Sequence, residues 1–153
     1  MLKKIDAIQF TMNHDDGNSM QDIEKSDIIL IGVSRTSKTP TSIYLANRGY
    51  KTVNIPLVLD QKIPADLYSN NSSCIVGLIA DPERLSDIRR NRVAIMQDQN
   101  LKEYTDLDSI KKEVEDSRKL FKKNSWPIID VTRRSVEETA ASILKIIEIK
   151  KNQ

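Results

Sequence analysis

The first apolar run of the sequence leads directly into a segment whose residue types suit anion binding. The segment joins one glycine to hydroxyl-bearing and cationic side chains, in the order Gly32, Val33, Ser34, Arg35, Thr36, Ser37, Lys38 and Thr39. Phosphate-binding loops of the pattern G-x-x-x-x-G-K-[ST] lie between a strand and a helix, and Gly32, Lys38 and Thr39 have that spacing. Backbone amides would surround an oligophosphate, and the dipole of the following helix would attract it. Lys38 would reach its terminal phosphates, and Thr39 would bind Mg²⁺. The spacing therefore predicts a nucleotide-binding segment, here termed the 32–39 loop.

One position of the 32–39 loop departs from that pattern. Ser37 stands where the pattern has its second glycine. A Cβ atom at this position makes a positive φ costly and tightens the approach to a phosphate. The residues alone leave two interpretations open: a nucleotide-binding loop, or a serine-rich turn that caps the following helix and needs no ligand.

A second cationic group lies on the helix predicted over residues 82–96. On a wheel of roughly 100° per residue, Arg89 and Arg92 fall inside the apolar stripe, whereas Arg90 points away. A charge on an inward face needs a partner. Planar guanidinium groups bind phosphate or pyrophosphate well, but a structural ion pair with Asp or Glu would satisfy them too. Arg89 and Arg92 are therefore candidate phosphate-binding residues, with the ion pair as the alternative.

Strands and helices must position these groups, and the sequence predicts that they alternate. Apolar patterns and helix-capping residues predict strands at 27–33, 52–58, 74–79 and 126–131, and helices at 40–47, 82–96, 106–123 and from 135 onward. Such alternation predicts an α/β fold with a P-loop-like parallel sheet of about four strands, flanked by helices on both faces. Residues 1–26 are expected to form a connecting segment with a turn at 14–19, and residues 27–153 the nucleotide-binding domain.

The carboxyl ends of the strands are the edge at which such sheets bind ligands. The loops that follow Val33, Ile79 and Val131 share this edge. Arg133 stands in the last of these loops, where it would either hold a phosphate or remain hydrated ahead of the final helix. We count it as a third candidate phosphate-binding residue.

Composition and charge exclude several classes of protein and of binding partner. The 153 residues suffice for one domain, and 24 Lys and Arg against 22 Asp and Glu leave a net charge of +2, which gives no reason to expect nucleic acid or an anionic membrane as partner. No apolar run approaches the roughly 18 residues of a membrane-spanning helix. Cys74 is the single cysteine, so an internal disulfide and a cysteine-based zinc site are excluded. The first residues lack the apolar core of a signal peptide, and we expect a cytoplasmic protein. The sequence does not indicate an oligomeric state.

Several segments together resemble one bacterial family. They are residues 32–46, the His-Asp-Asp-Gly sequence at 14–17, residues 82–85 with 88–92, and residues 126–135. In these segments the chain is similar to the pyruvate, phosphate dikinase regulatory proteins and the related phosphoenolpyruvate synthase regulatory proteins. The resemblance covers nearly the whole chain, and Ser37 is the form that the 32–39 loop takes in this family.

The resemblance implies a bifunctional enzyme. Members phosphorylate a threonine of the dikinase with ADP as donor, and they remove that phosphate by phosphorolysis, with inorganic phosphate as acceptor and pyrophosphate as product. The family's nucleotide site maps onto the 32–39 loop, with Mg²⁺ at Thr39 and Lys38 acting on the phosphates. Such chemistry needs a base near the threonine hydroxyl. Asp15 or Asp16 is the candidate base and His14 the candidate group to orient inorganic phosphate, although the same residues also suit a polar turn.

Three alternatives to this function remain open from the sequence. The target would be phosphoenolpyruvate synthase instead of the dikinase, or the chain would be a small-molecule P-loop kinase, or a non-catalytic remnant that binds nucleotide. The resemblance also implies a further N-terminal region in family members, ahead of the His-Asp-Asp-Gly sequence. We therefore expect the chain to correspond to the C-terminal part of the family's sequence, and to fold and bind ADP weakly with little turnover.

Overall fold

The computed structural model describes residues 2–14, 25–33, 35–57, 73–96 and 106–151. Within these ranges the helices are α1 (Leu2–Asn13), α2 (Lys38–Ala46), α3 (Pro82–Met96), α4 (Leu107–Lys123) and α5 (Val136–Lys151). The strands are β1 (Ile28–Gly32), β2 (Thr52–Pro56), β3 (Cys74–Ile79) and β4 (Ile128–Asp130). No helix in the described ranges is both long enough and apolar enough to cross a membrane.

The four strands form one parallel sheet in the order β2-β1-β3-β4, which confirms the predicted α/β fold. Ile28 at the start of β1 is in register with Thr52 of β2 and with Cys74 of β3. Every residue of β1 and of β3 is buried. Continuous apolar burial of this kind is expected of central strands that are covered on both faces.

The helices fall into two groups. Helices α1 and α5 both pack against α2, whereas α3 packs against α4 and α4 packs on β3. The chain moves from β1 to β2 in one direction across the sheet and from β3 to β4 in the other. Because crossovers between parallel strands are right-handed, opposite directions place the connecting helices on opposite faces. The sheet is therefore sandwiched between the two groups of helices.

Helix ends follow the sequence signals closely. Asp106 caps α4 by accepting a hydrogen bond from the Ser109 backbone amide at 3.2 Å. At the start of α5 the Glu138 amide donates to Ser135 Oγ at 3.1 Å, and the Ser135 amide donates to Glu138 Oε1 at 3.4 Å. This reciprocal pair is the capping box expected from the sequence.

Helix α2 begins two residues before Pro40, so the predicted start is wrong. The proline is tolerated because a first-turn amide has no partner within its helix.

Residues 2–13 form a helix that the sequence did not predict. Helix α1 packs against α2 and β2, so these residues of the predicted connecting segment 1–26 belong to the packed structure. Ala7 and Thr11 of α1 and His14, which directly follows it, are buried and spaced at i, i+4 and i+7, but two of the three are polar. The helical pattern therefore carries little apolar signal.

Strands β1, β2 and β4 are shorter than predicted at one or both ends. The turn expected at 14–19 lies almost entirely outside the described residues.

Helix α1 also covers the free edge of β2. The Thr52 amide donates to Thr11 Oγ1 at 3.1 Å, and the Asn54 amide donates to the His14 carbonyl at 3.4 Å. Both are alternate amides of a terminal strand, which point away from the neighbouring strand β1. The last turn of α1 thus takes the place of a further strand and fixes His14 beside the middle of β2.

Candidate functional site

The 32–39 loop starts at the point where the chain changes direction across the sheet. Strand β1 lies between β2 and β3, the strands reached in opposite directions. In open α/β sheets the crevice at the carboxyl ends of such strands is where ligands bind. Gly32, the last residue of β1, is in register with Leu78 of β3. The fold therefore places the loop at the expected ligand-binding edge.

Gly32 lies too close to β3 for any side chain. A Cβ atom on Gly32 would stand 2.6 Å from the Leu78 carbonyl oxygen and 3.0 Å from Thr36 Oγ1. The backbone of β3 cannot yield to such a contact without disturbing the sheet. Glycine is needed here because the loop must leave β1 directly against the next strand.

The loop then adopts the backbone conformation that the sequence pattern assigns to its second glycine. Ser37 has φ 61° and ψ 29°, and Arg35 also has a positive φ of 71°. Left-handed residues alternating with right-handed ones turn successive amides toward one concave side, which favours anions. Ser37 is the N-cap residue of α2 but makes no side-chain capping bond within the described part of the chain. The self-capping turn, the alternative left open by the sequence, therefore lacks its main contact.

Replacing Ser37 with glycine is expected to stabilise the protein. The change removes the cost of a Cβ atom in left-handed backbone and loses no capping bond, so the free energy of unfolding should rise by about 0.5–1 kcal/mol. Urea unfolding followed by circular dichroism measures this change. Gly49, with φ 92°, provides the matched control, because Gly49→Ala should lower stability by a similar amount. A less stable Ser37→Gly variant would show that the hydroxyl has a structural role.

Lys38 is held inside the loop and does not extend into solvent. Its side chain is only 6% exposed. The ammonium Nζ donates to the Val33 carbonyl at 2.8 Å and to Thr36 Oγ1 at 3.4 Å, and Thr36 Oγ1 donates to the same carbonyl at 2.9 Å. In these contacts the partners of the Lys38 ammonium are neutral oxygen atoms of the loop.

A cavity of about 370 Å³ opens beside the 32–39 loop. Its lining combines loop residues with residues of α2, β2 and α3: Arg35, Ser37, Lys38, Thr39, Pro40, Pro56 and Ile88. The volume lies within the range of small-molecule sites, about 300–1,000 Å³. Two cationic and two hydroxyl-bearing residues in one small cavity suit a phosphorylated ligand.

Asn54 is a site residue that the sequence analysis missed. It lies in the middle of β2, is 1% exposed, and its side-chain Nδ2 donates to Thr39 Oγ1 at 3.0 Å. In the sequence, the indication was one asparagine within the apolar run of residues 52–58. A buried polar side chain needs a partner, so its position in a strand next to the loop could have identified it.

His14, the first residue of the His-Asp-Asp-Gly sequence, lies beside β2. His14 is buried, its ring stacks on Phe10 with centroids 4.0 Å apart, and ring atom Nδ1 lies 2.8 Å from the Phe10 carbonyl oxygen. Its own carbonyl accepts from Asn54, whose side chain bonds Thr39. Asp15 and Asp16, like Ser34 of the loop, lie outside the described residues. The proposed roles of these residues stay predictions.

Arg89 points inward, as the helical wheel predicted, and Arg90 is exposed. The Arg89 guanidinium, 1% exposed, donates from Nη1 to Glu113 Oε2 of α4 at 2.8 Å. The ion pair that the sequence left as the alternative is therefore present and joins α3 to α4. Nothing is described of the Arg92 side chain. Phosphate binding by either arginine stays a prediction.

Replacing Arg89 with methionine should destabilise the protein while keeping most of the packing. Glu113, 20% exposed, would lose a charged hydrogen-bond partner, at a cost of about 1–3 kcal/mol. Chemical denaturation measures the loss, and Arg90→Met is the matched control on the exposed face. Calorimetry with pyrophosphate tests the other role: weaker binding by a folded Arg89→Met variant, but not by Arg90→Met, would indicate a contact with phosphate.

Arg133 belongs to a second cavity at the same edge of the sheet. This cavity of about 570 Å³ is lined by residues that follow β3 and β4: Asp81, Glu83, Arg84, Asp87, Thr132 and Arg133. The Asp81 amide donates to Thr132 Oγ1 at 2.7 Å, which joins the two loops. Arg133 is exposed with φ 60°. It therefore does not line the cavity of the 32–39 loop, and its role in phosphate binding stays a prediction.

These features define an open α/β protein with a cationic loop and cavity at the switch point of its parallel sheet. The chain belongs to the kinase/pyrophosphorylase family, whose model matches residues 1–144.

Curated relatives have closely similar sequences. A protein of Pelagibacter ubique (strain HTCC1062), named as a pyruvate, phosphate dikinase regulatory protein, is 60% identical over 98% of this chain and 55% of its own length. A protein of the same name from Erythrobacter litoralis (strain HTCC2594) is 53% identical over 95% of this chain and 52% of its own. The chain therefore spans about half the length of the curated relatives it matches.

Proposed function

We propose that this chain provides the nucleotide-phosphate site of a bifunctional enzyme, an ADP-dependent serine/threonine kinase and phosphate-dependent phosphorylase that regulates pyruvate, phosphate dikinase. One observation carries the proposal: the Lys38 ammonium lies within the loop at the switch point of the sheet and lines a cavity of suitable size. Membership of the kinase/pyrophosphorylase family and the names of the relatives support the same function.

Lys38 and the loop backbone would bind the phosphates of ADP. A phosphate oxygen arriving in the cavity would offer Lys38 a charged acceptor in place of the neutral Val33 carbonyl, and two opposite charges attract each other more strongly than a charge and a neutral group. Gly32 keeps the start of the loop free of side-chain atoms, and the N-terminus of α2 adds its positive dipole. These residues would hold the donor phosphate and, in the phosphorylase reaction, inorganic phosphate.

Thr39 fits the role of a Mg²⁺ ligand. Thr39 lines the cavity, and its hydroxyl oxygen accepts a hydrogen bond from Asn54 Nδ2. No group of three or more His, Cys, Asp or Glu side chains in the described ranges could hold a metal ion. Mg²⁺ prefers one or two protein oxygens together with the oxygens of substrate phosphates, and when bound it neutralises charge on those phosphates. Thr39 therefore suits a metal that enters with the nucleotide.

The kinase and phosphorylase reactions use the same groups on different acceptors. In the first, the threonine hydroxyl attacks the β-phosphorus of ADP, the bond to the bridging oxygen breaks, AMP leaves, and the hydroxyl proton passes to a base. In the second, an oxygen of inorganic phosphate attacks the phosphothreonine phosphorus, the bond from phosphorus to the threonine oxygen breaks, that oxygen takes up a proton, and the pyrophosphate formed is released. We assign the base to Asp15 or Asp16 and the orientation of inorganic phosphate to His14. The placement of His14 beside Asn54 supports this assignment.

Turnover also requires the target threonine to lie in line with the phosphoryl group. Positioning accounts for a large part of catalysis in phosphoryl transfer. Because the chain spans about half the length of its relatives, we expect the chain alone to bind ADP weakly and to show little activity. A separately expressed remainder of a relative, added in trans, should then raise the activity.

Pyrophosphate release tests the proposed function. The chain is incubated with phosphorylated dikinase, inorganic phosphate and Mg²⁺, with and without the remainder of the Pelagibacter ubique relative, and pyrophosphate is measured. Lys38→Ala is the matched control. Release that depends on Lys38 supports the proposal, and phosphorylated phosphoenolpyruvate synthase in the same assay distinguishes the alternative target. Absence of release under every condition, from a chain that is folded, would contradict it.

A further inference from the structure

The hydrogen bonds of Asn54 join two segments that lie far apart in the sequence. Its backbone amide donates to the His14 carbonyl at 3.4 Å, and its side-chain Nδ2 donates to Thr39 Oγ1 at 3.0 Å. The first contact reaches the residue that precedes Asp15 and Asp16. The second reaches the last residue of the 32–39 loop. One residue in the middle of β2 thus touches both groups to which chemistry is assigned.

An asparagine at this position is unfavourable unless its amide is used. Asn54 is 1% exposed and lies between the buried residues Val53 and Ile55 of the same strand. Asparagine is disfavoured in strands, and burying an amide costs free energy unless hydrogen bonds compensate. The side-chain amide of Asn54 therefore requires a hydrogen-bond partner at this position, and in the structure Thr39 is such a partner.

The bond from Asn54 constrains the hydroxyl of Thr39, a residue that lines the cavity. A threonine hydroxyl has two acceptor lone pairs and one proton. When Nδ2 of Asn54 donates to one lone pair, the rotation of the Thr39 side chain is restricted. A metal ligand held in one orientation by an outer hydrogen bond binds its metal more tightly than a free one.

We propose that Asn54 is a positioning residue, which fixes the Thr39 hydroxyl for the Mg²⁺ ion that accompanies ADP. The inference rests on the proposed nucleotide site, and it adds a residue to which neither the sequence motif nor the family resemblance assigns a role. Through its backbone bond to His14, the same residue also holds the start of the His-Asp-Asp-Gly sequence beside β2.

The Mg²⁺ dependence of ADP binding tests this role without requiring turnover. Calorimetry measures the ADP affinity of the wild-type chain and of Asn54→Ala, once with excess Mg²⁺ and once with EDTA. Mg²⁺ should raise the wild-type affinity by about tenfold, the size of one charged interaction. Asn54→Ala should lose most of that rise while keeping its affinity in EDTA, which depends on Lys38 and the loop amides. Asn47→Ala, an exposed asparagine of α2 that donates to the Ile43 carbonyl, is the matched control and should retain the rise.

A double-mutant cycle separates positioning from general damage to β2. Thr39→Val removes the hydroxyl but keeps the shape of the side chain, and it should abolish the Mg²⁺-dependent rise by itself. If Asn54 acts through Thr39, adding Asn54→Ala to Thr39→Val should have no further effect on affinity. A loosened strand would instead weaken binding further in the double variant. Should Asn54→Ala fail to fold, Asn54→Ser keeps a polar group in β2 but is too short to reach Thr39.

Each result decides between the two proposals. Asn54→Ala with the full Mg²⁺-dependent rise, or additive losses in the cycle, would overturn the role of Asn54 and leave the nucleotide site intact. Equal wild-type affinity for ADP with and without Mg²⁺ would do the same. A folded wild-type chain that does not bind ADP under either condition would overturn the nucleotide site and the role of Asn54 together.

Discussion

Replacing Lys38 with alanine is expected to weaken ADP binding by about ten- to a hundredfold. The ammonium would contribute a charge-assisted hydrogen bond to a phosphate, worth roughly 1.5–3 kcal/mol. The side chain is already confined near its Val33 and Thr36 partners, so little conformational entropy is lost when phosphate replaces the carbonyl. Isothermal titration with ADP measures the difference in Kd.

The matched control is Lys112→Ala, which removes the same charge from an exposed position of α4. This variant should bind ADP as the wild type does, because solvent screens a distant surface charge. Equal affinity of Lys38→Ala and wild type, with both folded, would refute the assignment of the 32–39 loop to nucleotide phosphates. A thermal melt of each variant shows whether the fold is intact.

The largest effect on stability is expected from Phe121→Ala. Phe121 is fully buried on α4, which packs on β3, and it contacts Trp126 with ring centroids 6.4 Å apart. Truncating a buried phenylalanine removes apolar contacts and leaves a cavity, at a cost of about 3–5 kcal/mol. Guanidinium unfolding monitored by far-ultraviolet circular dichroism measures the loss. Phe10→Ala, at a half-buried position on the other group of helices, should cost clearly less.

Gly77 of β3 provides an independent check of the same contact. A Cβ atom there would lie 2.4 Å from Cδ2 of the Phe121 ring, so Gly77→Ala should overpack the interface and cost about 1–3 kcal/mol. Adding Phe121→Leu to Gly77→Ala should recover part of that loss, because the smaller side chain makes room. Independent, additive losses would mean that the two residues do not meet as described.

Much of the fold was predictable because its signals are local. The apolar runs that became β1 and β3, and the capping residues Asp106 and Ser135, each act within a few positions of the chain. Helix α1 escaped prediction because two of the buried residues in and directly after it, Thr11 and His14, are polar side chains that lie against β2. Side chains that are not apolar reveal a packed face only when the partner surface is known.

The candidate site was predictable where its geometry is encoded by spacing. The 32–39 loop could be located from Gly32, Lys38 and Thr39 because phosphate-binding loops require these types at fixed distances. Asn54 and Glu113 could not be located in this way, since each reaches its partner through tertiary structure. The wheel gave the direction of Arg89 correctly, but only the packing of α3 on α4 identifies its carboxylate partner.

The covering of β2 by α1 has a consequence for solubility. A terminal strand with free amides is a template on which another chain can add a strand, and exposed edges of this kind promote aggregation. Thr11 and His14 occupy the amides of Thr52 and Asn54 with a hydroxyl and a carbonyl from a helix, and a helix cannot extend the sheet further. Helix α1 therefore blocks the edge of β2 from pairing with a strand of another chain. The contact that protects the sheet from other copies of the chain is also the one that places His14 beside the site.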